Sequence, residues 1–222
     1  MPTLSKTSKQ QIAVIGLGRF GSSAAIQLAS LGYDVLGVDK NADLVENMSD
    51  ELTHVVRADT SNEGALEELG IRNFDVVVVG ISSDVQSSIV TTLILKHLDV
   101  PYVIAKARDE LHGEILDRIG ADKVVYPEHE AGLRISHTFI SHAILDYVEV
   151  VPGYGVSKIR VPDRFVGRSL QVLGLDEESG LRVLMIGRNK SVIYDPYPSE
   201  RLQDGDVLML VGEDRYLSEM EL

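Results

Sequence analysis

The sequence predicts an α/β fold: a doubly wound parallel sheet followed by a small α+β domain. Three observations support this prediction. Short apolar runs rich in β-branched residues alternate with helical patterns up to about residue 126, which is typical of βαβ units with parallel strands. A glycine-rich turn, Gly16-Leu-Gly-Arg-Phe-Gly21, follows the first run. After Pro127 the pattern changes to one long helical stretch and then to closely spaced strands.

The elements of the first domain follow from hydrophobic periodicity. Strands are predicted where the apolar runs occur, at Ile12–Ile15, Val35–Val38, His54–Val56, Val76–Val79, Val103–Ala105 and Val124–Tyr126. Helices are predicted between them, at Phe20–Leu31, Asp43–Glu51, Glu63–Leu69, Val85–Leu98 and Glu110–Ile119. Six strands in this alternation complete a Rossmann-like doubly wound sheet.

The second domain has a different organisation. A helix is predicted over about 130–147, then strands at Val148–Val151, Val156–Val161, Val183–Ile186, Val192–Tyr194 and Val207–Val211, with one short helix near Ser169–Leu173. We therefore expect a flexible N-terminus at 1–9, an α/β domain at 10–129, a connecting helix at 130–147 and a C-terminal domain at 148–222. A module of roughly 75 residues is marginally stable alone, so this domain should dimerise or pack on its neighbour.

The composition excludes several classes of protein. The absence of cysteine from the 222 residues excludes disulfides and thiolate metal sites. The net charge of −13 argues against nucleic acid and against direct adsorption to an anionic membrane. No apolar run approaches the roughly 20 residues of a spanning helix, and the N-terminus lacks a signal-peptide core. We therefore expect a cytoplasmic protein whose partners are a protein or a small ligand.

The glycine turn predicts a nucleotide site. Gly16 permits the tight turn, Gly18 lets the backbone approach a pyrophosphate, and Gly21 lets the helix pack closely on the sheet. The free N–H groups at the helix start then face the phosphates. Asp39, at the end of the second strand, can accept hydrogen bonds from ribose hydroxyls. Its charge disfavours a 2′-phosphate, so NADP is disfavoured whereas NAD, ADP and ATP remain.

Arg19 lies inside the turn, where a cation can pair with the terminal phosphates of a di- or triphosphate; a solvated first-turn side chain is the alternative. Ligands bind at the carboxyl ends of the strands. The further candidate binding residues therefore follow the strands or flank the turn: Phe20, Lys40, Asn41, Asp59, Thr60, Ile81, Ser82, Lys106, Arg108, His112 and Glu128. Arg108 and His112 are alternatively ordinary helix-start residues, and Glu128 a helix cap.

The sequence offers no catalytic machinery. Tyr102 and Lys106 match the Y-x-x-x-K of short-chain reductases, but they lie on a predicted strand, whereas that pair needs a helix. The histidines have no metal-ligand spacing, and the C-terminal domain offers no acid or base for a nicotinamide reaction. We therefore expect a nucleotide sensor and no enzyme; the alternative is an NAD-linked oxidoreductase of the Rossmann class.

Several segments resemble a known family. The first domain resembles the RCK (KTN) domain of KtrA/TrkA-type potassium-uptake regulators in QIAVIGLGRFGSS, VDKNADLVE, ADTSNEGALEELGIRNFDVVVVGI, TTLILKHLDVPYVIAKA and LDRIGADKVVYPEHEAG. SKIRVPDRFVGRSLQVLGL and RLQDGDVLMLVG resemble the RCK C-terminal domain. The resemblance implies a cytosolic regulatory subunit that forms a ring of dimers, usually an octamer, under a membrane potassium-translocating subunit (KtrB/TrkH-like). ATP and ADP exchange would reshape the ring and gate transport, with NAD(H) bound in some members.

The resemblance also implies roles for single residues. Gly16, Gly18 and Gly21 would form the phosphate turn, and Arg19 would sense the γ-phosphate, often across the dimer. Asp39 would bind the ribose, Asp59 and Thr60 would form the adenine-side loop, and Lys106 would be the basic residue after strand five. Glu128 resembles an acid that supports a divalent or monovalent cation between paired nucleotides.

Two further implications concern the second half of the chain. The stretch from about Glu130 to Tyr147 would be a crossover helix that exchanges between protomers. The C-terminal domain of several relatives binds cyclic di-AMP with basic residues in a loop that here reads Asp176-Glu-Glu-Ser179. Because acidic side chains repel this anionic ligand, binding of cyclic di-AMP is disfavoured.

Overall fold

A computed structural model describes residues 10–139, 142–175 and 180–219. The predicted flexible N-terminus and the acidic loop Asp176-Glu-Glu-Ser179 lie outside the described residues. The chain divides into two compact units, with the boundary between Glu128 and His129. Each unit has its own sheet and its own hydrophobic core.

The first unit confirms the predicted Rossmann-like sheet. Its strands are β1 (Gln11–Ile15), β2 (Asp34–Asp39), β3 (His54–Arg57), β4 (Val76–Val79), β5 (Tyr102–Lys106) and β6 (Lys123–Val125). Its helices are α1 (Arg19–Ser30), α2 (Ala42–Met48), α3 (Glu63–Glu68), α4 (Val85–His97) and α5 (Glu110–Arg118), with a 3-10 turn at Ile71–Asn73. The strands are parallel in the order β3-β2-β1-β4-β5-β6. This is the doubly wound strand order. Successive strands are added toward one edge of the sheet up to β3 and toward the other edge from β4, so the switch point lies between β1 and β4.

The continuous apolar runs of the sequence follow from burial of the sheet on both faces. In β1, Ala13 and Ile15 belong to one core cluster, whereas Ile12 and Val14 belong to the cluster on the opposite face. Because successive side chains of a strand point to opposite faces, the central residues of a strand covered by helices on both sides are apolar on both faces. Such strands read as unbroken Val/Ile/Leu runs.

The helix starts of the first unit differ in a way that prepares a binding site. Side chains cap four of them: Asn41 caps α2, Asn62 caps α3, Asp84 caps α4 and Asp109 caps α5. Helix α1 instead has Gly18 at its N-cap position and therefore has no side-chain cap. The first N–H groups of a helix have no partner inside the helix. In α1 no cap side chain accepts any of them, whereas each neighbouring helix has one that is accepted by its cap.

The second unit is a five-stranded antiparallel sheet with short helices. Helix α6 (Pro127–Thr138) leads into it, followed by β7 (Ile144–Val151), β8 (Tyr154–Arg160), β9 (Leu181–Arg188), β10 (Ser191–Tyr194), β11 (Val207–Glu213) and α7 (Asp214–Glu219). Two 3-10 turns lie at Asp163–Phe165 and Gln171–Leu173. The strand order is β10-β9-β11-β8-β7. Within the described ranges no helix combines the length and the apolarity needed to cross a bilayer.

The predicted helix over 130–147 was wrong in its second part. Helix α6 ends at Thr138, and the residues from Ile144 form strand β7. Ile144 and Tyr147 are 3 % and 0 % exposed in the second core, and β7 pairs with β8. The three-residue spacing of these two residues fits a helix as well as an irregular strand, so the tertiary pairing decides the structure. The predicted short helix near Ser169–Leu173 is a 3-10 turn.

Candidate functional site

A cavity of about 420 Å³ lies where strands β1 to β5 end at their carboxyl side. Its volume is within the range of small-molecule sites. Most of the predicted binding residues line it: Gly16, Gly18, Arg19, Phe20, Asp39, Lys40, Asn41, Asp59, Thr60, Ile81, Ser82, Lys106 and Glu128. These residues thus lie together at the carboxyl ends of the parallel strands, where ligands bind in sheets of this kind.

The three glycines of the turn have three different environments. Gly16 has φ +88°, and a Cβ there would meet Ile81 at 3.0 Å, so both conformation and space require glycine. A Cβ on Gly21 would lie 1.8 Å from the Gly16 carbonyl oxygen, which shows how closely α1 packs on the turn. A Cβ on Gly18 would have no atom within 4 Å, and its φ of −65° suits any residue. The protein itself therefore gives no steric reason for glycine at position 18.

Asp39 fastens the turn to the end of β2. One carboxylate oxygen accepts the Leu17 N–H at 2.7 Å, and the other accepts the Asn41 N–H at 2.8 Å. The Gly16 N–H also donates to the Val38 carbonyl at 2.8 Å. Because each carboxylate oxygen has more than one acceptor site, Asp39 keeps capacity for ribose hydroxyls while it positions the turn.

The cavity contains two cationic side chains beside the turn. Arg19 is exposed, and the described residues include no ion-pair partner for it. Lys106 is only 5 % exposed, and its Nζ lies 2.5 Å from Glu128 Oε1 and 5.5 Å from the centroid of the Phe20 ring. The hydrogen bond from Lys106 and the nearby Arg19 charge hold the pKa of Glu128 below its usual value. These positive charges favour an anionic ligand here.

The opposite end of the cavity is built by the loop after β3. Asp59 accepts hydrogen bonds from the hydroxyl and the N–H of Ser61 at 2.6 and 3.1 Å, and these bonds lower the pKa of its carboxyl. The hydroxyls of Thr60 and Thr91 lie 3.0 Å apart, and both residues are buried. This buried contact fixes the loop to helix α4.

Sequence reasoning missed part of the lining at the start of α4. Ser83, Asp84 and Ser87 line the cavity, together with Ile15, Leu44, Ala58 and Gly80. Asp84 accepts from the Ser87 N–H at 3.1 Å and the Ser87 hydroxyl at 2.6 Å, and Lys40 Nζ lies 3.2 Å from its Oδ2. The Ser87 and Lys40 hydrogen bonds lower the pKa of Asp84 to about 2. A Ser-Ser-Asp sequence before a helical run is an N-cap signal, which could have indicated this residue.

Three predicted residues do not line the cavity: Gly21, Arg108 and His112. Gly21 has the packing role described above. The Arg108 guanidinium pairs with the Asp109 carboxylate at 2.9 Å. His112 is 1 % exposed in the first turn of α5, where its Nδ1 accepts the Arg108 N–H at 3.2 Å. Burial lowers the pKa of His112, and its contact with the Arg108 N–H places it in the packing of the α5 start, outside the cavity.

No metal site is evident in the described parts of the chain. They contain no group of three or more histidine, aspartate or glutamate side chains arranged to hold an ion. Glu128, the predicted cation-supporting acid, is bonded to Lys106. A cation at Glu128 would therefore need additional ligands from a nucleotide or another chain.

Comparisons with known proteins agree with this architecture. The TrkA-N domain family matches residues 12–127, and the TrkA-C domain family matches residues 156–221. Ktr system potassium uptake protein C of Bacillus subtilis is 37 % identical over 96 % of this chain and 96 % of its own. Ktr system potassium uptake protein A of Vibrio alginolyticus is 34 % identical over 93 % of this chain and 94 % of its own.

Solved structures share the fold at low sequence identity. The GsuK channel aligns with a TM-score of 0.67 and 19 % identity, and a GsuK channel bound to NAD aligns with a TM-score of 0.64 and 18 % identity. The alignments cover 98 % and 96 % of this chain but only 40 % and 39 % of the channel chains. The chain thus belongs to the family of TrkA-N/TrkA-C (RCK) regulatory proteins that includes the Ktr system potassium uptake proteins.

Proposed function

We propose that this protein is the nucleotide-sensing regulatory subunit of a potassium uptake system. It binds ATP and ADP in the cavity of the first unit, and the bound nucleotide sets the opening of a membrane potassium-translocating subunit (KtrB/TrkH-like). The single observation that supports nucleotide binding most strongly is the free space at Gly18. The fold does not require a glycine at this position, which is the uncapped start of a helix beside a cavity. A pyrophosphate that approaches the protein backbone closely accounts for it.

The charges in the cavity support a phosphate chain. Arg19 lies beside the uncapped N–H groups of α1, and Lys106 lies near the same turn. An arginine pairs with terminal phosphates as a charged, often bidentate partner. ATP and ADP differ in that terminal phosphate, so Arg19 is the residue proposed to distinguish them.

Gating requires that ATP and ADP bind differently to two conformations of the assembly. Only such differential binding shifts a conformational equilibrium. Couplings of about 1–3 kcal/mol are usual and change the open fraction several-fold. We propose that the subunits form a ring of dimers, an octamer, on the cytoplasmic side of the membrane. The similarity to the potassium uptake proteins of Bacillus subtilis and Vibrio alginolyticus supports the transport role.

Other ligands and activities are ranked by the same contacts. NAD(H) fits the glycine turn and Asp39, and the GsuK structure bound to NAD supports it for the fold. A cation bridging paired nucleotides would use Glu128. Cyclic di-AMP in the C-terminal domain is disfavoured by the acidic sequence at Asp176-Glu-Glu-Ser179. The alternative function, an NAD-linked oxidoreductase, predicts consumption of NADH with a carbonyl substrate.

Titration calorimetry of the full chain against ATP, ADP, NAD, NADH and cyclic di-AMP tests the proposal. Light scattering on the same sample gives the oligomeric state. Arg19→Ala should weaken ATP binding about tenfold and ADP binding much less, because a charged pair with a terminal phosphate is lost. Arg118→Ala is the matched control, since Arg118 is an exposed arginine paired with Glu114 in α5, outside the cavity.

Two results would contradict the proposal. Retention of full ATP-over-ADP discrimination by Arg19→Ala would exclude Arg19 as the sensor. A monomeric chain that oxidises NADH in step with a carbonyl substrate would favour the oxidoreductase instead.

A further inference from the structure

We infer that Asp84 is a specificity-determining residue that makes the site reject nucleotides with a phosphate on the ribose 2′-hydroxyl. Asp84 does so by forming an ion pair with Lys40, the cationic residue that follows Asp39 in the described lining of the cavity. This inference rests on the proposed function, because it assumes that an adenine nucleotide binds with its ribose at Asp39.

Lys40 stands where a 2′-phosphate would be received. It directly follows Asp39, and its carbonyl oxygen accepts the Arg57 Nε–H at 3.0 Å, which fixes its backbone. Its side chain lines the cavity and is 61 % exposed. In dinucleotide sites a basic residue near this position accommodates the 2′-phosphate, whereas an acid binds the free 2′-hydroxyl. This chain contains both residue types, side by side.

Asp84 determines whether the acid, Asp39, or the base, Lys40, acts on the 2′-position of the ribose. Its carboxylate lies 3.2 Å from Lys40 Nζ and is held in place by the N–H and the hydroxyl of Ser87. Because Asp84 also caps α4, it cannot follow Lys40 toward a ligand without uncapping the helix. The lysine is therefore drawn to a carboxylate that is fixed by its own helix.

The carboxylates in this part of the cavity disfavour a dianion. Asp39, Asp59 and Asp84 bring three carboxylates, against the ammonium of Lys40 in the lining and the guanidinium of Arg57, whose Nε donates to the Lys40 carbonyl oxygen. Asp59 is close enough for the charges of both Lys40 and Asp84 to act on its ionisation. A 2′-phosphate would have to displace Asp84 from Lys40 and lie among carboxylates, whereas a 2′-hydroxyl donates a hydrogen bond to one of them.

Asp84→Asn tests this inference cleanly. Asparagine caps helices as well as aspartate does, so the variant keeps α4 while it releases Lys40. The probes are ADP and adenosine 2′,5′-bisphosphate, which differ in the position of the second phosphate, and binding is measured by calorimetry. The wild type should bind the 2′,5′-bisphosphate at least about tenfold more weakly than ADP, and also more weakly than AMP, which lacks only the 2′-phosphate. Asp84→Asn should improve binding of the 2′,5′-bisphosphate at least about fivefold, because a charged but half-exposed lysine–phosphate pair can form.

Two controls identify the cause of any gain. The double variant Lys40→Met with Asp84→Asn should lose the improvement. Asp122→Asn should change neither affinity, because Asp122 pairs with Lys96 at 2.8 Å outside the cavity. Asp84→Ser, which also preserves an N-cap acceptor, serves as the second variant if the asparagine variant is unstable.

The outcomes separate this inference from the function on which it rests. If wild type binds ADP but accepts the 2′,5′-bisphosphate equally well, the inference fails and the proposed function stands. A gain that persists in the double variant would assign the discrimination to the carboxylate charge alone and overturn the role of Lys40. If wild type binds no adenine nucleotide, the proposed function fails and the inference falls with it.

Discussion

Alanine substitutions at Gly18 and Gly21 should separate ligand binding from folding. The two residues lie three positions apart in one turn, and each substitution adds a single methyl group. At Gly18 that methyl enters open space beside the cavity, whereas at Gly21 it would lie 1.8 Å from the Gly16 carbonyl oxygen. We expect Gly18→Ala to fold normally and bind nucleotide poorly, and Gly21→Ala to fold poorly.

The expected stability change of Gly18→Ala is small because two effects oppose each other. Alanine restricts the unfolded chain, which stabilises the fold by about 0.4–1 kcal/mol where the backbone is compatible. Alanine is also a poorer N-cap than glycine, which costs a similar amount. The free energy of unfolding should therefore stay within about 1 kcal/mol of wild type. Binding of ATP or ADP should weaken at least about tenfold, because the methyl occupies the space through which the pyrophosphate approaches the backbone.

The cost of Gly21→Ala follows from the distance. Carbon–oxygen contacts are normally about 3.4 Å or longer, so α1 would have to retreat by about 1.5 Å from a carbonyl that belongs to the turn itself. Overpacking a core costs about 1–3 kcal/mol, and a rigid backbone neighbour places this case at the upper end or above it. Alanine returns up to about 1 kcal/mol of helix propensity. We expect a net loss of about 2–3 kcal/mol.

Urea unfolding and calorimetry on the same preparations measure both quantities. Gly132→Ala is the matched control, because Gly132 lies in helix α6 and a methyl group added there would meet no atom within 4 Å. It should be neutral or slightly stabilising. Wild-type nucleotide affinity in Gly18→Ala would show that the open space at Gly18 does not serve a ligand. Wild-type stability in Gly21→Ala would refute the packing argument.

Two further variants test buried polar groups. Thr91→Val removes the hydrogen bond to Thr60 and should cost about 1–3 kcal/mol in urea unfolding and weaken adenine-nucleotide binding. In Thr92→Val the lost hydroxyl is one that donates to the Ser88 carbonyl of its own helix, so binding should be unchanged; equal losses of affinity in the two variants would refute a role of the Thr60–Thr91 contact in binding. Burial lowers the pKa of His112, so on acidification the unfolded chain protonates this imidazole at a higher pH than the folded chain does. The free energy of unfolding should therefore fall as pH decreases through about 6.5. His112→Asn should lose that part of the pH dependence in urea titrations between about pH 5 and 7.5, and an unchanged slope would contradict it.

The first unit could be predicted from the sequence because its signals are local. Unbroken apolar strands require a sheet buried on both faces, and the glycine turn encodes its own conformation through Gly16. The strand-end rule then collects residues that are distant in sequence, such as Asp39 and Lys106, into one cavity without knowledge of any contact.

The partners of these residues could not be predicted, because pairing depends on tertiary geometry. Lys40 and Asp84 are 44 residues apart, and Thr60 and Thr91 are 31 apart. Strand β7 was misassigned for the same reason, since its pairing with β8 lies outside the window that periodicity examines. The sequence thus identified most of the residues that line the cavity, but it missed Asp84 and did not show which of these residues bind each other.

The pairing of Lys106 with Glu128 shows why this distinction matters for function. The resemblance identified Lys106 as the basic residue after strand five and Glu128 as an acid that supports a cation, whereas the structure places Lys106 Nζ 2.5 Å from Glu128 Oε1. An ammonium donates three hydrogen bonds, so Lys106 can bind a phosphate oxygen without releasing Glu128. Removing Glu128 would leave a buried ammonium without its carboxylate. A Glu128 variant that binds a cation more weakly therefore identifies Glu128 as a metal ligand only if its affinity for nucleotide is unchanged, because that affinity reports on Lys106.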